Sequence, residues 1–281
     1  MKKITLFIIL ITLFFSCKAY QSSTSVKETS TLVEDQNLNA VLWMQTSAEY
    51  EMLCHEVYTN AEQSIDEALK DSTITAALEQ KNDYKNLPPA IIVDVDETIL
   101  DNSPFQASLS KAHLPYSDKL WKTWVNKKTA KPMPGAKKFI NDVLSKGVTV
   151  FFVTNRELET PTLENLQKEF NPSIKADVIL CKNEQSDWTS NKTSRRTLIA
   201  KTHRIILLLG DDYNDFVYLG NLSPKERKQK ASLYSNMWGK QWFILPNPSY
   251  GSFERALWNY DYQQNNNQKL KKKYKHLKPM H

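Results

Sequence analysis

The sequence predicts an α/β protein, a doubly wound and mainly parallel sheet with a small helical cap. Three observations predict it. Short apolar runs, each ending in polar residues, suit the buried strands of a parallel sheet. Helical segments alternate with those runs. One intervening stretch is too long for an ordinary strand-to-helix loop. A chain of 281 residues, 41% of them hydrophobic, can build one good-sized core, or one domain with a smaller appendage.

The chain opens MKKITLFIILITLFFSC, with two lysines, an uncharged apolar run, then Ser16-Cys17. This reads as a secretory signal peptide over residues 1–16, its apolar run too short for a membrane span. Residues 17–36 are rich in Ser, Thr and charge and form a flexible tether. From Asn37 to Leu78 the pattern is helical, with Val41, Met44, Ala48, Met52 and Val57, then Ile65, Ala68 and Leu69, at helical spacing. A loop follows, and Pro88-Pro89 deliver the chain into the first strand, Ile91–Val93. Four more strands are expected at Val148–Val153, Asp177–Leu180, Ile205–Leu209 and Trp242–Leu245. Helices are expected between them at about Ala136–Ser145, Pro161–Phe170 and Lys192–Lys201. The long stretch is an insertion from Asn102 to Met133 that carries Phe105, Tyr116, Trp121 and Trp124. The main domain then spans residues 37–260, with helices at 37–80 and the insertion at 102–133 forming the cap. Residues 261–281 are a basic tail, expected to be solvated and frayed.

Charge narrows the classes of partner. The net charge of +6 falls to +4 without Lys2 and Lys3, and Asp261–His281 alone holds six lysines against one acid. The body is therefore close to neutral, with no basic stripe and no motif for nucleic acid. The tail could instead rest on an anionic membrane surface. Beyond Cys17 only Cys54 and Cys181 remain, either as one disulfide of an exported protein or as two buried thiols. No C-x-x-C pair supports a zinc or redox site, and the five histidines lack ligand spacing.

The chemistry concentrates where strands end. Ile91–Val93 run into Asp94 and Asp96, with Glu97 and Asp101 close behind. Clustered anions raise one another's pKa unless a cation neutralises them. The economical explanation is a bound cation with oxygen ligands, of the Mg²⁺ type. The competing reading is that these acids cap the turn after the strand. The other strands end in Thr154-Asn155-Arg156, Cys181-Lys182 and Gly210-Asp211-Asp212. In a doubly wound sheet ligands bind beyond the carboxyl ends of the strands, so this rim is the candidate site.

Four segments on that rim carry a resemblance. DVDET (Asp94–Thr98) looks like the DxDxT motif of the haloacid dehalogenase (HAD) superfamily. VTNR (Val153–Arg156), Lys192 in SNKTSRR and GDDYNDF (Gly210–Phe216) fit its second, third and fourth motifs, in order. The flanks DNSPF, LWKTWV, MPGA and LPNPSYG, the segment LWMQTSAEYEMLC and the leader narrow it further. Over about residues 39–257 the chain resembles the class C acid phosphatases, bacterial and usually lipid-anchored phosphomonoesterases with a HAD-like Rossmannoid fold.

The resemblance implies roles. Asp94 would be the nucleophile that forms an aspartyl-phosphate, and Asp96 the general acid and base. Mg²⁺ would be held by Asp94, the backbone carbonyl of Asp96, Asp211 and Asp215. Asp215 could instead only cap a turn. Thr154, with Asn155 and nearby backbone N–H groups, would hold a phosphoryl oxygen, and Lys192 would balance its charge. Lys182, Arg195 and Arg196 compete for the Lys192 role. Trp121 and Tyr250 would flank the leaving group, favouring nucleoside monophosphates and aryl phosphates; otherwise they are cap core and turn. Cys17 would carry the lipid, and Lys18 after it favours the outer membrane of the cell envelope. The expected partners are a small phosphomonoester and the membrane, with no nucleic acid; a homodimer stays open. The rival functions are a catalytically weak ligand-binding lipoprotein of the same fold and a HAD phosphotransferase.

Overall fold

The computed structural model describes residues 37–81 and 83–280. In chain order it begins with α1 (Leu38–Thr46), α2 (Ala48–Lys70) and β1 (Pro89–Val93). Then β2 (Leu100–Asp101) leads into the insertion, which holds α3 (Ser103–Ala112), α4 (Asp118–Lys127) and β3 (Lys131–Pro132). Next come α5 (Ala136–Ser145), β4 (Thr149–Thr154), α6 (Glu159–Glu169), β5 (Ile179–Cys181), α7 (Thr193–Ala200) and β6 (Arg204–Gly210). The chain closes with α8 (Pro224–Leu233), β7 (Trp242–Ile244), α9 (Ser252–Leu257) and α10 (Asn266–Lys275).

Five strands pair in parallel in the order β5-β4-β1-β6-β7, so the strand order reverses at β1. Val93 lies opposite Phe152 on one side and Leu209 on the other. Asp94, the next residue, therefore emerges between the ends of β4 and β6, and its N–H donates to the Leu209 carbonyl at 3.0 Å. A switch point is where a doubly wound sheet leaves a crevice.

Alternation along the strands divides the core into two layers. Ile91, Val93, Leu207 and Leu209 pack with Cys54, Ile65, Phe139 and Leu166 on one face. Ile92, Leu208 and Trp242 pack with Trp188, Ile199 and Phe216 on the other. Cys54 and Cys181 are both buried free thiols, not a disulfide.

Four local expectations differ from the fold. The helical pattern does not run to Leu78; it stops at Lys70. Asp71 accepts the Thr73 N–H in a tight turn, and the buried Arg204 guanidinium donates to the carbonyls of Ala68, Asp71 and Ile74 at 3.0, 2.9 and 3.2 Å. Ala76 and Ala77 then cross to the opposite face of the sheet, with Ala76 N–H on the Ile205 carbonyl at 2.7 Å. The buried face of α2 is Tyr50, Cys54, Tyr58, Ala61, Ile65 and Ala68, whereas Met52 points outward. The face is carried by Tyr, Cys and Ala, which a count of aliphatic residues undervalues. Helix α2 lies on the sheet beside α5 instead of joining the cap; α1 meets the insertion through α3, and α2 touches its end where the Tyr50 hydroxyl reaches Met133 Sδ at 3.4 Å.

Within the insertion, Phe105 gathers Tyr116, Trp121 and Trp124, with ring centroids 6.3, 5.2 and 6.4 Å away. The basic tail is not frayed over its length. Asn265 caps α10, which docks on α9 through Lys273 and Glu254 and places Lys269 and Lys273 over the Trp258 ring.

Candidate active site

Three carboxylates, Asp94, Asp211 and Asp215, converge so that one oxygen from each lies within 4.8 Å of the others. Asp94 comes from the end of β1, and Asp211 and Asp215 from the loop after β6. Asp94 and Asp215 are buried and Asp211 is half-buried. Burial pushes the Asp94 carboxyl up to about 7; Lys192 opposes that rise, and Asp215 and Asp96 add to it. Burial and neighbouring carboxylates also raise Asp211, and burial raises Asp215. Three crowded oxygen donors in a dry crevice are the environment that a hard divalent cation relieves. The residues present therefore fit such an ion.

Lys192 is the cation that meets this group. It stands at the start of α7, is buried, and its Nζ pairs with Asp94 and, at 2.6 Å, with Asp215 Oδ1. Against burial, Asp215 and Asp94 hold its ammonium in the charged form. None of its competitors pairs with these carboxylates, although Arg196 Nη1 donates to the Asp215 backbone carbonyl at 3.0 Å. Lys182 pairs with Glu157 at 3.0 Å near the surface. Arg195 donates to the Thr154 and Leu180 carbonyls, and Arg196 to Glu79.

The acidic loop is braced from several sides. Asp212 is not in the converging group. Its carboxylate accepts from Asn214 N–H at 2.9 Å and from the Ser252 N–H and hydroxyl, which outweighs burial and keeps its pKa low. Asp215 Oδ2 accepts the Asp212 N–H at 3.0 Å, closing a capping box. Asn247 and Thr98 donate to Asp211 at 2.8 and 3.4 Å. Gly210 is required by close approach, because a Cβ there would lie 2.6 Å from Asp215 Cγ. Gly210→Ala is expected to displace Asp215 and weaken divalent-cation binding by on the order of 10–100-fold. Calorimetric titration checks this, and unchanged affinity would mean that Asp215 can retreat.

Asp96 turns away from the three carboxylates. Its Oδ1 accepts from Arg156 Nε and Nη2 at 2.9 and 2.7 Å and from Asn102 Nδ2 at 2.9 Å. Asn102 in turn accepts from Trp124 Nε1 at 2.7 Å, which ties the acid to the cap. Arg156 is fully buried, and its guanidinium carbon sits 5.6 Å over the Trp121 ring. Thr154 is fully buried, and its Oγ1 accepts the Arg156 N–H at 3.1 Å. Asn155 is exposed, and its side-chain oxygen accepts from Arg195 at 3.0 Å. Tyr250 is half-buried and donates its hydroxyl to Glu97, a residue held at φ 52°. Cys17 lies outside the described residues.

Sequence reasoning missed Arg156, Asn102 and Glu97 as parts of the site. Arg156 and Asn102 were legible only as neighbours of the motifs, and nothing in their spacing shows that both converge on Asp96. The Glu97–Tyr250 bond joins residues 153 positions apart.

The arrangement can bind a divalent cation beside a buried carboxylate that pairs with Lys192, with a second carboxylate held apart by Arg156 and Asn102. Comparison with known proteins places the chain in a family. Residues 10–253 match the model of the HAD superfamily, subfamily IIIB (acid phosphatase). The class C acid phosphatase from Bacillus anthracis is 33% identical, with a TM-score of 0.77 over 89% of this chain and 99% of that one. The same enzyme with tungstate bound gives a TM-score of 0.79 over 89% and 100%. A Glycine max stem 28 kDa glycoprotein is 26% identical over 166 residues, 57% of this chain and 58% of its own length. A stem 31 kDa glycoprotein is 27% identical over 165 residues with the same shares, so the chain spans little more than half of either relative. The chain belongs to the acid phosphatases of subfamily IIIB in the HAD superfamily, a family of phosphomonoester hydrolases that includes the class C enzymes.

Proposed function

We propose that the protein is a Mg²⁺-dependent acid phosphatase that hydrolyses phosphomonoesters, among them nucleoside monophosphates and aryl phosphates. The observation that carries this reading is the meeting of Asp94, Asp211 and Asp215 with Lys192 at the switch point of the sheet. Asp94 attacks phosphorus and forms an aspartyl-phosphate as the ester oxygen leaves. Asp96 delivers a proton to that oxygen and then takes one from the water that attacks the acyl phosphate. Arg156 and Asn102 hold the Asp96 carboxylate for both steps. Lys192 balances charge on the phosphoryl group, and Thr154 and Asn155 hold a phosphoryl oxygen. Asp94, Asp211, Asp215 and the Asp96 carbonyl would hold Mg²⁺, which when bound screens the anionic nucleophile from the anionic substrate. Trp121 and the ring of Tyr250 face the leaving group. Support for an anionic tetrahedral substrate comes from the related enzyme described with tungstate bound.

We place the protein in the cell envelope, lipid-anchored at Cys17 and facing from the outer membrane. Among the described residues no helix is long and apolar enough to cross a membrane.

The test is phosphate release from a nucleoside monophosphate, an aryl phosphate and an alkyl phosphate. Release is expected with Mg²⁺, lost with chelator and restored by added Mg²⁺. Full turnover in chelator would overturn the metal dependence. Absence of release from every ester over a range of pH would favour the ligand-binding rival. Phosphate recovered mainly on an added alcohol would favour the phosphotransferase.

A further inference from the structure

We propose that the outer face of α10 docks on an anionic lipid surface. The helix is fixed in place before any partner arrives. Asn265 Oδ1 accepts the Gln268 N–H at 3.0 Å, and Gln268 returns the contact to the Asn265 N–H at 2.9 Å. Positions spaced by four and three turn inward. Lys269 and Lys273 lie 5.4 and 5.7 Å from the Trp258 ring centre, Lys273 pairs with Glu254, and His276 Nε2 contacts the Leu257 carbonyl at 3.2 Å. These contacts cover one face with side chains that a free basic tail would leave in water.

The opposite face is then determined by helical geometry. It presents Lys271, Tyr274 and Lys275, with Lys278 just beyond the helix, all exposed. No ion pair engages Lys271, Lys275 or Lys278 among the described residues. Tyr274 is 60% exposed, Leu277 65% and Met280 99%, so apolar and aromatic groups stand among the lysines. Lysines around exposed Tyr, Leu and Met are the composition of a helix that lies in a lipid headgroup region. The segment's lysines carry a local positive charge, while the rest of the chain after Lys18 is close to neutral, so attraction to anionic lipid is concentrated here. The segment contains no arginine, the side chain suited to reading phosphates by paired hydrogen bonds. That favours a lipid surface over nucleic acid. Because α10 is docked on α9, whose Ser252 holds Asp212, such binding would fix how the acidic loop is oriented to that surface.

The proposal is independent of the phosphatase reading and of Cys17. Its test uses the chain from Lys18 onward, which keeps every described residue and lacks the apolar leader. Partition is measured to phosphatidylcholine vesicles with and without phosphatidylglycerol, and to a single-stranded oligonucleotide at the same salt. Binding is expected only to the anionic vesicles and is expected to weaken as salt rises. Each exposed lysine near the surface is worth about a fivefold change in partition, so Lys271→Gln, Lys275→Gln and Lys278→Gln together should weaken it about 100-fold. The triple variant should keep the circular dichroism and the phosphate release of the parent. Absence of binding to anionic vesicles, or binding that the triple variant leaves unchanged, would overturn the proposal. Tighter binding to the oligonucleotide than to the vesicles would replace it with a nucleic-acid face.

Discussion

Replacing Asp94 by Asn is expected to lower phosphate release by about 10⁴-fold or more while raising the stability of the metal-free protein. The two effects have one cause. Asn keeps the size of Asp but offers no anionic oxygen to attack phosphorus, so the covalent route closes. In the resting protein the same change removes one of three crowded carboxylates. Burial already pushes the Asp94 carboxyl up to about 7, above its value in the unfolded chain, so keeping it ionised near neutrality costs folding free energy. Lys192 still has Asp215 at 2.6 Å, so no buried cation is orphaned. Phosphate release and thermal melting in chelator check both halves. A loss of only about tenfold would take Asp94 out of the reaction. A lower melting temperature would show that the Asp94–Lys192 pair outweighs the crowding.

Lys192→Met should have the opposite effect on stability. It leaves the buried Asp94 and Asp215 without the ammonium that pairs with both. Breaking a buried pair by removing one partner typically costs about 3–5 kcal/mol. Phosphate release should also fall, on the order of 10²–10³-fold, since the charge opposite the phosphoryl group is gone. Added Mg²⁺ should raise the melting temperature of the variant more than that of the parent, because the ion replaces the missing charge. Lys182→Met is the control: its pair with Glu157 is about a third exposed, and surface pairs are worth about 0–1 kcal/mol. If Lys192→Met melts with the parent in chelator, Lys192 is not what holds the carboxylates together.

What could be read from the sequence was what local pattern encodes. Ile91–Val93 and Ile205–Leu209 are apolar on both faces, which only a strand buried between two layers requires, and both lie in the centre of the sheet. The acids after them had to lie on one rim because parallel strands end together. Asp94, Asp211 and Asp215 meet there, and Lys192 reaches them from a helix start 98 residues beyond Asp94. The end of α2 at Lys70 was not legible, because Ile74, Ala76 and Ala77 continue an apolar pattern that serves other contacts. Nor was the docking of α10, whose lysines read as solvated charge until Trp258 and Glu254 are placed beneath them. The Asp96–Arg156–Asn102 network is a long-range contact, and single residues carry no sign of partners 54 and 60 positions away.

The two-residue ladder between β2 and β3 pairs Leu100 with Pro132 and Asp101 with Lys131. The insertion thus starts and ends side by side at a small two-stranded ladder apart from the main sheet, like a drawer on a fixed rail. Doubling the length of such a closed segment costs only about 0.6 kcal/mol in chain entropy. The contents of the insertion can therefore change at little entropic cost while the strand ends that carry Asp94 and Asp211 stay as they are. The seam to preserve in any such exchange is Asn102, where the insertion begins and whose side chain joins the Asp96 carboxylate to Trp124.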